Sequence, residues 1–484
     1  MLIAPPEVRI PTRDAVERAL CELDRRLGPS RVDTSDAGRE AYGRDESEVI
    51  GRLPDAVVLA SNREEVALTL AICEAHGVPV TPRAGGTGRT GGAVPVAGGV
   101  VLATHGMSSI VEIDRNDLVA TVQPGVITAD LHAAVEAEGL FYPPDPNSLK
   151  SCMIGGNVAE NAGGPRAFKY GVTREYVLGL ETCLMGGRVL RTGRRTVKGV
   201  TGYDVTSLLV GSEGTLGVFT EVTLRLVHAP TEIATVLALY PDVRAAAAAV
   251  QRVIARGVVP RCLELLDAAT LEAVRRQGVA IDERANGMLL VEVDARHAPL
   301  DPTIEVLGET LSSGKDTDGT RAADAIDVVA AQDPAQRARL WEARRMLSVA
   351  TRKLAKYKLS EDVVVPRSRL LALVDEASAI CSKEGVRHVT YGHAGDGNLH
   401  VNFLWDDESE RPAVDRAIDG LMRATISLGG TLSGEHGIGA SKAAYLPLEQ
   451  SRELIALQQD LKRVFDPSGL LNPGKIFPTG HTAC

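Results

Sequence analysis

Two histidines, His393 and His400, flank Asp396-Gly397 in the stretch TYGHAGDGNLHVNF. Asp-Gly is a strong two-residue hairpin signal because both positions tolerate positive φ. With that turn His393 is expected opposite His400, their Cβ atoms about 4.5–5.5 Å apart, a spacing at which two imidazoles grip one divalent ion. Asn402, two residues further along the strand, points to the same face. A third ligand is on offer in GGTLSGEHGIGASK, where Glu435 and His436 stand between Gly434 and Gly437. A set of two histidines and a glutamate leaves coordination positions open, as catalytic zinc sites do; manganese or iron suits it nearly as well. The competing reading is that these histidines are structural or surface residues. Of ten histidines in the chain, three fall in these two motifs beside glycine and acid, which favours the metal.

The segment LWEARRMLSVATRK places Arg344 and Ser348 at i and i+4 on one helix face. A guanidinium holds a carboxylate with two parallel bonds. Arg345 is the alternative for that role, or both are surface charges; position relative to Trp341 favours Arg344.

Three glycine-rich segments answer to a different ligand. TPRAGGTGRTGG contains G-x-G-x-x-G at Gly86, Gly88 and Gly91, the pattern of a dinucleotide turn, which requires a helix opening directly behind it. AVPVAGGVVLATHGM follows instead, where Pro95, Gly98 and Gly99 oppose a helix and the valines favour extended chain. Backbone N–H groups of such a turn can still cradle a phosphate without a helix dipole. PPDPNSLKSCMIGGNVAENAGG and TGYDVTSLLVGSEGTLGVFTEV carry similar glycine density. Glycine lets backbone approach a ligand closely, and three such loops suit a long one with a diphosphate and a planar ring.

PRAGGTG, IGGNVAENAGG and GSEGTLGVFTEVTLRL resemble the FAD-binding domain of vanillyl-alcohol-oxidase type flavoproteins. The resemblance is to the branch holding D-lactate dehydrogenase, D-2-hydroxyglutarate dehydrogenase and the D subunit of glycolate oxidase. It runs from YGRDESE at Tyr42 to LLNPGK at Lys475. It implies that Arg83, Gly85, Gly86, Thr87 and Gly88 hold the FAD diphosphate. Gly155, Gly156, Asn157 and Asn161 would lie along the flavin and its ribityl chain, and Gly217 and Val218 would offer backbone groups to the ring. Thr87 stands where many relatives carry a flavin-linking histidine, and Cys152 does not match the cysteine of a second linkage, so the FAD is expected to be non-covalent. His393, His400 and Glu435 match the metal ligands of the metal-dependent members, with zinc the first expectation, and His436 matches their base. Some relatives place a substrate-contacting lysine near KYKLSEDVVVP; Lys358 is the nearest candidate.

The implied activity is oxidation of a 2-hydroxy acid, glycolate or D-lactate before D-2-hydroxyglutarate. Arg344 would hold the carboxylate, Asn402 would line the site and His436 would take the hydroxyl proton. Electrons would leave to a quinone, a cytochrome, an electron-transfer flavoprotein or an iron–sulfur subunit, as a homodimer or a multi-subunit oxidase. The chain has no iron–sulfur cysteine spacing of its own. The rival readings are a metal-dependent hydrolase, which leaves the glycine loops without a purpose, and a non-catalytic flavin subunit, which would lack the metal residues.

These side chains need elements to hold them. At 484 residues, 44% hydrophobic and 24% charged, the chain reads as a multi-domain globular protein. A net charge of −10 argues against nucleic acid or an anionic membrane as partner. Seven scattered cysteines with no C-x-x-C, no leader and no apolar run of about 18–20 residues point to a cytoplasmic protein, peripheral at the inner membrane only through a partner. The expected fold is α+β. An N-terminal helical segment, 1–52, joins an FAD-binding domain, 53–229, of two subdomains in the vanillyl-alcohol-oxidase (PCMH) manner. A substrate or cap domain, 230–411, is also α+β, and a helical C-terminal segment, 412–484, returns to the FAD domain.

Helices are expected at 13–30, at REEVALTLAICEAHG, and at TADLHAAVEAEG with Thr128 as N-cap and Gly139 at C′. PAQRARLWEARRMLSVATRKL is expected as one long helix and TCLMGGRVLRTG as one strand. The stretch 294–330 has the weakest pattern and is expected to hold an exposed loop.

Overall fold

A computed structural model of the protein describes residues 8–315 and 321–478, and the chain divides into two compact units. The first holds 8–163, Val172–His228 and 435–478; the second holds Gly164–Gly171 and Ala229–Gly434.

In the first unit the apolar run AVVL forms the strand Ala56–Leu59, which pairs in parallel with Val100–Ala103; Val80–Arg83 joins on the far side, also parallel. Valine-rich strands buried on both faces are the pattern of a parallel sheet. Helices Arg13–Leu27 and Arg63–His76 pack against it through Ala19, Leu23, Leu70 and Cys73. The second helix is capped by Asn62 and ends on Gly77 in the left-handed region, φ 69°, where a Cβ would strain the turn. A second, antiparallel sheet follows the order Ile110–Asp114, Val119–Val122, Val218–Arg225, Val177–Cys183, Val189–Gly193. TCLMGGRVLRTG is therefore two strands, turned at Gly186 and Gly187 with φ 85° and 83°. The C-terminal tail is tied to the first sheet by Val80 N–H on Leu470 O (2.8 Å) and Asn472 N–H on Val80 O (2.7 Å).

The second unit is one seven-stranded antiparallel sheet in the order Asp327–Ala331, Glu232–Tyr240, Gly287–Ala295, Cys262–Asp267, Arg387–His393, Asn398–Trp405, Tyr357–Val364. Three adjacent strands of it, Cys262–Asp267, Arg387–His393 and Asn398–Trp405, carry Glu264, His393 and His400 in turn.

Several expectations change. Thr128 is the first helical residue, not the N-cap, which is Ile127; the Thr128 hydroxyl instead accepts from Asn157 Nδ2 at 2.7 Å. The long helix is two, Pro334–Leu340 and Glu342–Arg352, meeting at Trp341, whose indole N–H is held by Glu292 at 2.9 Å. The 294–330 stretch contains a helix, Asp301–Ser312, which buries Leu307 and Leu311; residues 316–320 lie outside the described ones. The return to the first unit comes at Glu435 rather than 412. Helix Arg411–Ser427 packs on Leu370–Glu384 so closely that a Cβ on Gly420 would touch Ile380 at 3.1 Å.

No disulfide joins the six described cysteines, and all but Cys21 are buried; Cys484 lies outside the described residues. Among the described residues no helix is long and apolar enough to cross a membrane.

Candidate active site

The second unit gathers two imidazoles and a carboxylate on one sheet face, with a guanidinium from the helix Glu342–Arg352 beside them. The loop joining Arg387–His393 to Asn398–Trp405 is four residues, Ala394–Gly397, not two. His393 therefore faces Asn398, and His400 faces Tyr391. A two-residue change in loop length preserves the parity of the strands, so the two imidazoles still share a face, diagonally placed. Their ring centroids are 5.4 Å apart and nearly perpendicular, at 87°. Both are buried, as is Asn402, whose amide donates to His400 O (3.0 Å) and Val389 O (3.4 Å).

Glu264 was not expected. It is fully buried and paired across the strands directly with His393. One oxygen meets His393 Nδ1 at 2.5 Å, and the other accepts from Arg344 Nε at 2.5 Å. Burial by itself would raise the Glu264 pKa, but His393 and Arg344 override it and hold the carboxyl well below its usual range. An ionised Glu264 accepts a hydrogen bond from Nδ1–H, which leaves Nε2 the lone-pair nitrogen of His393, as for a metal-ligating histidine with a carboxylate behind it. The sequence signal for Glu264 was a single carboxylate inside the otherwise apolar strand CLELL; such a residue is buried only when paired.

Asp362 is the second residue missed. It sits opposite His400 on the neighbouring strand, its Oδ1 3.9 Å from His400 Nδ1. It accepts Asn398 Nδ2 (2.6 Å), Ser433 Oγ (3.0 Å) and Gly434 N–H (2.8 Å). The donor set of His393 and His400, backed by Glu264 and Asp362, fits a divalent cation by its chemistry.

Arg344 is buried, its guanidinium 5.7 Å over the Tyr391 ring. Arg345 is exposed and bonded to Ala338 O. Ser348, one turn beyond Arg344, is exposed, so the two do not share an environment. Lys358 donates to Thr351 Oγ1 at 2.8 Å.

Glu435 and His436 belong to the first unit. Both are half-buried, with His436 Nε2 4.0 Å from Glu435 Oε1. In the same unit the three glycine segments meet. Gly211 N–H bonds Val158 O (2.9 Å), Glu213 N–H bonds Ala159 O (2.8 Å), and a Cβ on Gly214 would lie 3.3 Å from Pro82.

Their glycines divide into two kinds. A Cβ on Gly85 would strike Ser151 O at 2.7 Å, one on Gly155 would strike Pro124 Cβ at 2.5 Å, and one on Gly217 would strike Thr182. These make room for protein. On Gly88 and Gly156 a Cβ would meet nothing nearer than 3.8 Å and 3.7 Å, an ordinary contact, so each leaves room for a side-chain atom. Gly86 is in the left-handed region, φ 66°, against the Arg83 side chain. Arg83 donates to Arg44 O at 2.5 Å, and burial lowers its pKa. Thr87 is half-buried beside them. Asn161 adopts φ 52° and accepts Arg174 N–H at 2.9 Å; Val218 opens its strand, buried. Glycine-lined loops with uncrowded backbone at Gly88 and Gly156 fit the chemistry of an FAD site.

Two family models match the chain: "FAD binding domain" over residues 54–193 and "FAD linked oxidases, C-terminal domain" over 229–476. The glycolate oxidase subunit GlcD of Bacillus subtilis (strain 168) is 43% identical, over 93% of this chain and 94% of its own. A D-lactate dehydrogenase of Anaerostipes hadrus is 33% identical, over 94% of this chain and 97% of its own. Among solved structures, 4-ethylphenol oxidase from Gulosibacter chungangensis superposes with a TM-score of 0.78 at 19% identity, over 98% of this chain and 99% of that one. p-Cresol methylhydroxylase gives 0.78 at 16%, over 98% and 100%. These last two bear on fold alone, and the fold is the PCMH-type FAD-binding α+β architecture. With family models over both halves and curated relatives matched nearly end to end, the chain belongs to the FAD-linked 2-hydroxy-acid dehydrogenases, flavoprotein oxidoreductases that act on CH–OH donors.

Proposed function

We propose that the protein oxidises glycolate or D-lactate to the 2-oxo acid, with a divalent cation, zinc first, bound by His393, His400 and Glu435. The observation that carries this reading is Glu264, one buried carboxylate holding both a ligand-type imidazole and a guanidinium suited to a carboxylate.

Arg83, Gly85–Gly88, Gly155, Gly156, Asn157, Asn161, Gly217 and Val218 would hold FAD non-covalently, since Thr87 offers no imidazole to the flavin. Bound, FAD supplies a two-electron acceptor and the cation a Lewis acid. The remaining work belongs to the chain. Arg344 binds the substrate carboxylate through its Nη groups while Glu264 fixes its Nε edge. His436 accepts the 2-hydroxyl proton, a task suited to imidazole near neutral pH. Asn402 and Tyr391 shape the wall beside His400. The electrons pass to an acceptor other than oxygen, on another polypeptide. GlcD is named as a subunit, which supports such a partner; the setting proposed with it is cytoplasmic.

A dye-reduction assay on a panel of 2-hydroxy acids, both enantiomers, with and without chelator, tests the proposal. Turnover of glycolate or D-lactate that falls on chelation and returns with added metal is expected. Flavin that no 2-hydroxy acid bleaches under anaerobic conditions would end it. Acid precipitation should release all the flavin.

The two kinds of glycine give a separate expectation. Gly156→Ala should fill the cradle and weaken FAD binding by about tenfold or more, with little change in the melting temperature of the flavin-free protein. Gly155→Ala should instead lower that melting temperature, since overpacking a tight contact costs about 1–3 kcal/mol. Flavin titration and thermal melts of both variants separate the roles.

A further inference from the structure

The turn that follows Glu435 and His436 is clamped from within the first unit. Glu213, buried and itself at φ 51°, accepts two successive backbone donors, Ile438 N–H on Oε1 at 2.8 Å and Gly439 N–H on Oε2 at 2.6 Å. On the other flank Thr90 donates its hydroxyl to the His436 carbonyl at 3.0 Å, and its own carbonyl accepts Ala440 N–H (2.9 Å) and Ser441 N–H (3.1 Å). Gly437, at φ 77°, lies between the Glu213 and Glu160 carboxyls, with no space for a side chain. Ile476 N–H closes the turn on Gly439 O at 2.8 Å. Glu213 is further anchored through its own backbone, its carbonyl accepting Asn472 Nδ2 at 2.7 Å.

A carboxylate with one backbone N–H on each oxygen defines a rigid fork. Both bonds lie two and three residues beyond His436, so they fix the direction in which that residue leaves the chain. Neither Glu213 nor Thr90 is needed to carry a proton for this. We propose that Glu213, with Thr90, is a positioning residue for His436, holding its imidazole where the substrate hydroxyl is met. The inference rests on the reading of His436 as the base.

Glu213→Gln tests it, because an amide has one acceptor oxygen and its NH2 would face a buried N–H donor. Misplacement of a reacting group by about 1 Å costs on the order of 100-fold. Accordingly kcat should fall by about 10- to 100-fold, with KM for the 2-hydroxy acid and the flavin content of the holoenzyme within about twofold. Thr90→Val, a milder change, should lower kcat by about 3- to 10-fold.

The decisive measurement repeats both substitutions in a His436→Ala background, with imidazole added to restore turnover. With no side chain left to position, each should then cost less than about twofold, as residues acting as a unit are not additive. Equal losses in both backgrounds, or loss of flavin in step with activity, would mean that Glu213 serves fold or cofactor, and the inference falls alone. Full activity in His436→Ala itself would remove the base assignment and this inference together.

Discussion

Alanine in place of His400 is expected to lower turnover of the 2-hydroxy acid by about 1000-fold or more while FAD remains bound. His400 is the third residue of the strand Asn398–Trp405, buried, and diagonal to His393 at 5.4 Å between rings. Removing its imidazole takes one of the proposed ligands from the cation, and Lewis-acid stabilisation is worth several kcal/mol, each 1.36 kcal/mol being tenfold in rate. His400 is not among the residues proposed to hold FAD, so the flavin content should not change. Bound metal, measured directly on the purified variant, should drop in parallel with activity. His393→Ala should do the same and in addition destabilise the fold, because it leaves the buried Glu264 carboxylate facing Arg344 without its second partner. Unaltered metal content and turnover in both variants would remove the cation from the mechanism.

Glu264→Gln carries the second large expectation. Glu264 is the common partner of His393 and Arg344, each at 2.5 Å. The amide offers one acceptor where two donors converge, so one of them loses its partner. Removing one member of a buried ion pair costs about 3–5 kcal/mol, which should appear as a lower melting temperature. Loss of the carboxylate behind a ligand histidine weakens metal binding by about 10- to 100-fold. KM should rise as well, through Arg344, which distinguishes this variant from the histidine ones.

The pH dependence follows from the depressed Glu264 pKa. Its contribution to stability is complete above the ordinary carboxylate value, near 4.3, and is lost as pH falls below that value toward the folded one. The stability difference between wild type and Glu264→Gln should therefore narrow in acid. A difference that stays constant from pH 7 to pH 3 would show that the carboxylate charge is not what holds the cluster.

Much of this was legible in the sequence because it is local. The parallel strands Ala56–Leu59 and Val100–Ala103 are runs of valine and leucine, and the helix Arg63–His76 carries its cap and its terminal glycine within its own segment. The failures come where a neighbour distant in sequence decides. Thr128 has the chemistry of an N-cap, but its hydroxyl is taken up with Asn157 and Cys152. The helix Asp301–Ser312 draws on tertiary burial of Leu307 and Leu311, in a stretch whose surroundings read as loop.

Residue types and spacing by themselves determined that two imidazoles share a sheet face, since an even change in loop length cannot turn a strand over. They also marked out three glycine segments suited to one extended ligand, and the glycines that flank Glu435 and His436. Only the tertiary structure decided which glycines leave room for a side chain and which are pressed against protein, and that Glu264, 129 residues before His393 and 80 before Arg344, ties the two together. Periodicity is written into each strand, whereas the order of strands in a sheet depends on how all of them pack; the sequence therefore carries the face of each side chain, and the fold alone supplies its partner.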